Sequence, residues 1–132
     1  MTVTLTDQDK ITLRTAAYGA VSLLAAADPA GSPHKAATNG SLALASATGP
    51  IGHVLAEKST PVKLTGRTAA DMADQALPAL TASMKLLKEQ LPAEAGNFRT
   101  TITVAIDAAT GGAPGPVMAE MVRKIIEALD AA

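Results

Sequence analysis

The chain has 132 residues, enough for one domain around a single hydrophobic core, and its charges nearly balance at a formal net charge of −1. This balance argues against nucleic acid or a membrane surface as a partner, since both usually select clustered lysine and arginine. Cysteine is absent, which excludes disulfides, thiolate nucleophiles and thiolate metal ligands, and which fits a reducing compartment.

The N-terminal segment, residues 1–5, is predicted to be disordered. It is not followed by the basic and apolar regions of a signal peptide. The longest dense apolar run, Ala20–Ala27, is far shorter than the roughly 20 residues that span a bilayer. We therefore expect a cytoplasmic protein with no membrane partner.

Proline and capping residues predict where the helices begin. Proline is accepted in the first helical turn, where its missing N–H would have no partner. Thr6 with Asp9, and Thr68 with Asp71, have the spacing of a capping box. The predicted helices are Asp7–Ala27, Pro33–Ala47, Pro50–Lys58, Thr68–Gln90, Pro92–Ala109 and Pro116–Leu129. The predicted loops are Ser59–Arg67 and Thr110–Gly115.

These six unequal helices predict an all-α fold, a compact single-domain bundle over residues 1–132. The β-branched run Thr101–Ile106 is the one strand candidate, but apolar residues around it recur at helical spacing. Pro78 lies inside the long fourth helix, which we expect to be kinked or split near that residue.

Small residues form a stripe along the predicted second helix: Ala36, Gly40, Ala43 and Ala47. A helical glycine costs about 1 kcal/mol relative to alanine, so Gly40 needs a reason in packing or in function. We favour close packing against the first helix, near Gly19 and Ala20, over a groove floor for a ligand.

Both histidines of the chain lie near predicted helix starts and define a candidate binding site. His53 and Glu57 are four residues apart on one helix face, and His34 and Asn39 would join them if the fold brings the two helices together. Zinc sites usually need three or four protein ligands, so we predict no metal. The alternative is that both histidines are polar groups in the first turns of packed helices.

Lys58, Lys63 and Arg67 give the predicted linker a local positive charge and define a candidate anion-binding loop. The glycine-rich phosphate motifs are absent, so a solvated basic loop is the competing interpretation. Asp71 and Asp74 are explained by their place at a helix start, where negative charge opposes the helix dipole.

Four stretches carry a resemblance: YGAVSLLAAAD, SPHKAATNGSLALASATGPIGHVLAEK, ADQALPALTASMKLLKEQ and AEAGNFRTTITVAIDAA. Together they resemble small uncharacterised helical proteins of high-GC actinobacteria. The resemblance implies an all-helical fold but no activity, cofactor or site residue.

The sequence contains no GxSxG or HExxH motif, and no nucleophile with an obvious base and orienting partner. We therefore favour a non-enzymatic helical interaction module that binds a protein partner or itself, with no cofactor. The alternative is a small-molecule or metal-binding protein, or a minor enzyme, with a pocket near His34 and His53.

Overall fold

Six α-helices make up most of the residues that the computed structural model describes, which are 5–27, 33–64, 68–112 and 114–132. The helices are α1 (Asp7–Ala26), α2 (Pro33–Ala45), α3 (Gly49–Ala56), α4 (Ala69–Gln90), α5 (Pro92–Thr110) and α6 (Pro116–Asp130). These described residues include no β-strand, so the predicted all-α fold is confirmed.

The helices begin as local chemistry predicts. Four of them have proline as their first or second residue: Pro33, Pro50, Pro92 and Pro116. Before α1, Thr6 Oγ1 accepts a hydrogen bond from the Asp9 N–H at 3.0 Å, and the Asp9 carboxylate accepts one from the Thr6 N–H at 3.1 Å. Before α4, Thr68 Oγ1 accepts from the Asp71 N–H at 3.0 Å. Each bond satisfies an N–H that the helix itself leaves unpaired.

We expected Pro78 either to kink the fourth helix or to split it into two shorter helices. α4 is one helix that runs through the proline, so it is not split. Proline removes the hydrogen bond to the carbonyl of Asp74. Both residues are exposed, so water can bond to that carbonyl. Ala76 and Leu80 are fully buried on the same helix, and their packing holds it together.

α1 is the central helix and packs against each of the other five. Its second half is mostly buried and consists mainly of alanine and leucine: Ala17, Ala20, Leu23 and Leu24. α1 and α4 approach closely at Gly19, where an added Cβ would lie only 2.6 Å from the Cβ of Ala76. In a chain with two aromatic residues, such short helix separations replace the contacts that large side chains would make.

α2 and α5 pack side by side and run antiparallel. Near the end of α2, the Asn97 Nδ2 donates to the Thr48 carbonyl at 3.0 Å. Near the middle of α2, a Cβ added to Gly40 would lie 3.4 Å from the Cβ of Ala109. Residue numbers therefore rise along one helix as they fall along the other.

The segment after α3 crosses α1 and is bonded to it at several points. The Arg14 guanidinium donates to the Thr60 carbonyl, and the Lys63 N–H donates to Thr15 Oγ1 at 2.9 Å. The Tyr18 hydroxyl donates to the Leu55 carbonyl at 3.1 Å. The bonds of Thr60 and Lys63 fix the described part of the predicted linker, residues 59–64, and the bond to Leu55 joins α3 to α1. Residues 65–67 lie outside the described residues.

At the N-terminus, residues 1–4 of the segment predicted to be disordered lie outside the described residues. Leu5, the last residue of that segment, is 8% exposed and belongs to the core. No helix in the described part of the chain is long and apolar enough to cross a membrane.

Candidate functional site

The residues of the predicted histidine site lie on separate elements. His34 is in the first turn of α2, and its side chain lies outside the described part of the structure. Asn39 is half-buried in α2, and His53 is exposed in α3. No hydrogen bond or ion pair among the described side chains joins any two of Asn39, His53 and Glu57.

Glu57 already has partners of its own. Its carboxylate lies 3.5 Å from Lys10 Nζ, and it accepts a hydrogen bond from the Ser59 hydroxyl at 3.5 Å. Glu57 also lines a 340 Å³ cleft at the start of α1, with Asp7, Thr60 and neighbouring residues, and His53 is not among the described residues that line it. The described residues contain no group of three metal-ligating side chains, and the predicted pocket stays a prediction.

The basic linker is only partly described. Lys58 and Lys63 are exposed, and Arg67 lies outside the described residues. The backbone N–H of Lys63 is bonded to α1, as described above. The candidate anion-binding loop therefore stays a prediction as well.

Gly40, in the stripe of small residues on α2, packs against α1 and α5, whereas Ala43 and Ala47 line a groove between α2 and α5. A Cβ added to Gly40 would lie 2.8 and 2.9 Å from the two methyl groups of Val21, and 3.4 Å from the Cβ of Ala109. Packing is therefore the reason for the glycine, as we favoured. The contact on α1 is Val21, one residue beyond the Gly19–Ala20 section that we expected.

A different feature stands out near the end of α2 and on α5, where large aliphatic side chains are exposed to solvent. Leu42 on α2 is 62% exposed and Val104 on α5 is 51% exposed. Isolated exposed aliphatic residues are ordinary on protein surfaces. Val104 lines a groove between these two adjacent helices, and Leu42 lies on α2 outside the residues that line it.

The groove lies between the end of α2 and the first half of α5, and its volume is 160 Å³. Small side chains line it, among them Ala43, Ser46, Ala47, Thr100, Thr101 and Val104. We use the name α2–α5 face for this groove together with Leu42 and Val104. The face also includes the exposed residues between 38 and 46 and between 96 and 104.

The α2–α5 face is largely uncharged. Residues 36–56 contain no aspartate, glutamate, lysine or arginine, and neither do residues 100–106. Arg99, next to the face on α5, pairs instead with Asp130 on α6. Asp107, three residues after Val104 on α5, and Lys35, in the first turn of α2, are exposed.

The exposed sides of α4 and α6 differ from the α2–α5 face in their charge. Charged residues recur along both of them: Asp71, Asp74, Lys85, Lys88 and Glu89 on α4, and Glu120, Arg123, Lys124, Glu127 and Asp130 on α6. Charged residues are depleted at the centres of protein interfaces and common elsewhere on the surface. By this criterion the α2–α5 face has the composition of an interface centre.

Hydrogen bonds join α5 to the start of α3 at the end of the face near Thr48 and Asn97. Glu94 Oε1 accepts from the Ile51 N–H at 3.1 Å, in the first turn of α3, and from Asn97 Nδ2 at 3.4 Å. Asn97 also donates to the Thr48 carbonyl. Because Thr48 makes no side-chain capping bond, this carboxylate from α5 takes the place of a local N-cap.

The face was not predicted from the sequence. Two stretches without charged residues could have indicated the face: the long one over α2 and α3, and the shorter one in α5. No known family, curated protein or solved structure matches the chain. The resemblance to helical proteins of actinobacteria stays a prediction.

Proposed function

We propose that this protein is a non-enzymatic interaction module that binds a helical surface of a partner protein on its α2–α5 face. The observation that carries the proposal is a groove between α2 and α5 that is lined by small uncharged side chains and by the largely exposed Val104. Contiguous exposed apolar surface marks interaction sites on soluble proteins far more often than scattered apolar residues do.

The chemistry of the face favours protein over other ligands. Nucleic acid is recognised through phosphate contacts and base stacking, and the face offers no aromatic ring and only one cation, Arg99, which is paired with Asp130. The groove, at 160 Å³, is smaller than the roughly 300–1,000 Å³ of small-molecule pockets. A ridge of side chains from another helix fits a shallow groove between two helices.

The partner surface should itself be uncharged over the area of contact. A charged side chain placed on the face would lose its hydration and find no opposite charge there. Aliphatic and small polar side chains lose far less, and they match the alanine, serine and threonine of the groove. We place this interaction in the cytoplasm, on the basis of the cysteine-free composition.

Static light scattering and affinity capture from a lysate of the source cells test the proposal together. The test variant is Val104→Asp, and the matched control is Val117→Asp, because Val117 on α6 is also a largely exposed valine, at 54%. We expect wild type and control to bind a partner or a second copy, and the test variant to lose that binding. Wild-type protein that is monomeric and captures nothing that depends on Val104 would refute the proposed function.

A further inference from the structure

We propose that Asn39 is a site of chemical modification, at which the asparagine loses ammonia and becomes aspartate or isoaspartate when α2 opens. The proposal goes beyond the function assigned to the α2–α5 face and does not depend on it. It follows from the residue after Asn39, which is Gly40, and from the place of both residues inside α2.

The reaction needs only the chain and water. The backbone nitrogen of Gly40 attacks Cγ of the Asn39 carboxamide, so that a new C–N bond forms and the bond from Cγ to the side-chain nitrogen breaks. The attacking nitrogen gives up its proton, and the departing nitrogen takes up a proton and leaves as ammonia. Water then opens the five-membered imide at one of its two carbonyls, which gives aspartate or isoaspartate.

Gly40 makes Asn39 the more reactive of the two asparagines in the chain. A Cβ on the following residue crowds the attacking nitrogen, and glycine has none. Asn97 is followed by phenylalanine, whose side chain hinders the same attack. The Asn97 carboxamide also donates to the Thr48 carbonyl and to Glu94. The Asn39 carboxamide makes no hydrogen bond with any other described residue.

The folded helix opposes the reaction at Asn39. At this position of an α-helix the Gly40 N–H is donated to the carbonyl of Ala36, four residues back, and closing the imide ring needs a ψ angle outside the helical range. Gly40 is buried, and an added Cβ would lie 2.8 and 2.9 Å from the two methyl groups of Val21. This close packing keeps the backbone helical, so the nitrogen attacks only when this part of α2 opens.

The product cannot rebuild the same helix. Isoaspartate carries the chain through its side-chain carbon, which adds one backbone atom and shifts the register of the helical hydrogen bonds. Both products also place a negative charge at a half-buried position within residues 36–56, a stretch that contains no charged residue. Each opening that leads to reaction therefore disables α2 permanently.

Peptide mapping by mass spectrometry follows both asparagines in one sample. Trypsin releases Asn39 in the peptide 36–58 and Asn97 in the peptide 89–99. The protein is incubated at mildly alkaline pH, either folded or unfolded in guanidinium chloride, and the mass gain from replacing NH₂ by OH is measured over time. In the unfolded chain we expect Asn39 to react several times faster than Asn97. In the folded protein Asn39 should react about ten times more slowly or less, because only the open fraction of α2 reacts.

Asn39→Gln is the matched control variant, because the longer side chain closes a ring far more slowly and adds no charge. After the same unfolded incubation and refolding, wild-type protein should lose helical circular dichroism in proportion to the modified fraction at Asn39. Asn39→Gln should lose none. If this variant folds poorly, Gly40→Ala in the unfolded chain replaces it, and there the reaction at Asn39 should slow several-fold.

Three results would overturn the proposal. Equal rates at Asn39 in folded and unfolded protein would show that α2 does not protect it. A rate at Asn39 no higher than that at Asn97 in the unfolded chain would show that Gly40 does not make it a site. Modified protein that refolds with unchanged circular dichroism and an unchanged thermal midpoint would show that α2 tolerates the product.

Discussion

The guanidinium of Arg14 lies over the ring of Tyr18, with 5.0 Å between the arginine Cζ and the ring centroid. Arg14 is only 8% exposed, and its guanidinium also donates to the Thr60 carbonyl. It forms no ion pair with any described carboxylate, and its Nε has no hydrogen-bond partner. The ring and the carbonyl offset part of the cost of burying this cation, but no opposite charge does.

Replacing Arg14 should therefore show an unusual order of effects. Arg14→Met should lower the free energy of unfolding by about 1 kcal/mol or less, because the lost contacts are offset by removal of a buried charge. Arg14→Lys should cost about 2 kcal/mol or more, because an ammonium is more strongly hydrated and lacks the planar group that stacks on Tyr18. Urea unfolding measures both. A methionine variant less stable than the lysine variant would show that the positive charge at this position contributes net stability.

Gly19 allows α1 and α4 to pack at short range, and alanine at this position should be destabilising. The new Cβ would lie 2.6 Å from the Cβ of Ala76, a distance that requires the helices to move apart. We expect Gly19→Ala to lower the free energy of unfolding by about 2 kcal/mol, although alanine is the better helix former. Thermal and urea unfolding would detect the loss.

Gly96 in α5 is the matched control, because an added Cβ there meets nothing within 4 Å. Gly96→Ala should raise the free energy of unfolding by about 0.5–1 kcal/mol through helix propensity alone. The double change Gly19→Ala with Ala76→Gly should recover much of the lost stability, because it moves the methyl group to the other helix. Equal changes in the free energy of unfolding for Gly19→Ala and Gly96→Ala would contradict the close approach of α1 and α4 at Gly19.

Glu94 should stabilise α3 from a different helix. Glu94→Ala removes the acceptor for the Ile51 N–H and should lower the free energy of unfolding by about 1 kcal/mol, the usual value of an N-cap. Glu94→Gln keeps an oxygen acceptor and should cost less. Glu89→Ala, an exposed change on α4, is the control and should alter stability by no more than about 0.5 kcal/mol. A Glu94→Ala effect as small as the control would show that the Ile51 bond contributes little.

The helix starts were predictable because the chemistry that fixes them is local. The Thr6–Asp9 capping box and the prolines at the first turns act within four residues, and each is readable from spacing alone. The close approach at Gly40 was predictable for a similar reason, since a glycine inside a helix implies a steric demand. Its partner Val21 depended on the relative positions of two helices and was missed by one residue.

The exposed face was not predictable because α2 is apolar on several sides. Leu42 and Leu44 are two residues apart, yet Leu42 is 62% exposed and Leu44 is completely buried. In an alanine-rich helix the periodicity of apolar residues does not identify the core side, so tertiary packing decides it. The bond between Glu94 and Ile51 likewise depends on which helices become neighbours.

The acidic residue Glu120 on α6 provides a test by titration. The Arg123 guanidinium, hydrogen-bonded to Glu120, lowers the pKa of that carboxyl, and the positive charge of Lys124 contributes less. The pKa of Glu120 is lower in the folded protein than in the unfolded chain. The Glu120–Arg123 pair therefore stabilises the folded state at any pH above the unfolded pKa, and this stabilisation is lost as the pH falls through the folded pKa. NMR titration should show the Glu120 pKa rising towards its usual value in Arg123→Gln, and rising less in Lys124→Gln. Equal rises in the two variants would mean that general positive charge, and not the hydrogen bond from Arg123, lowers this pKa.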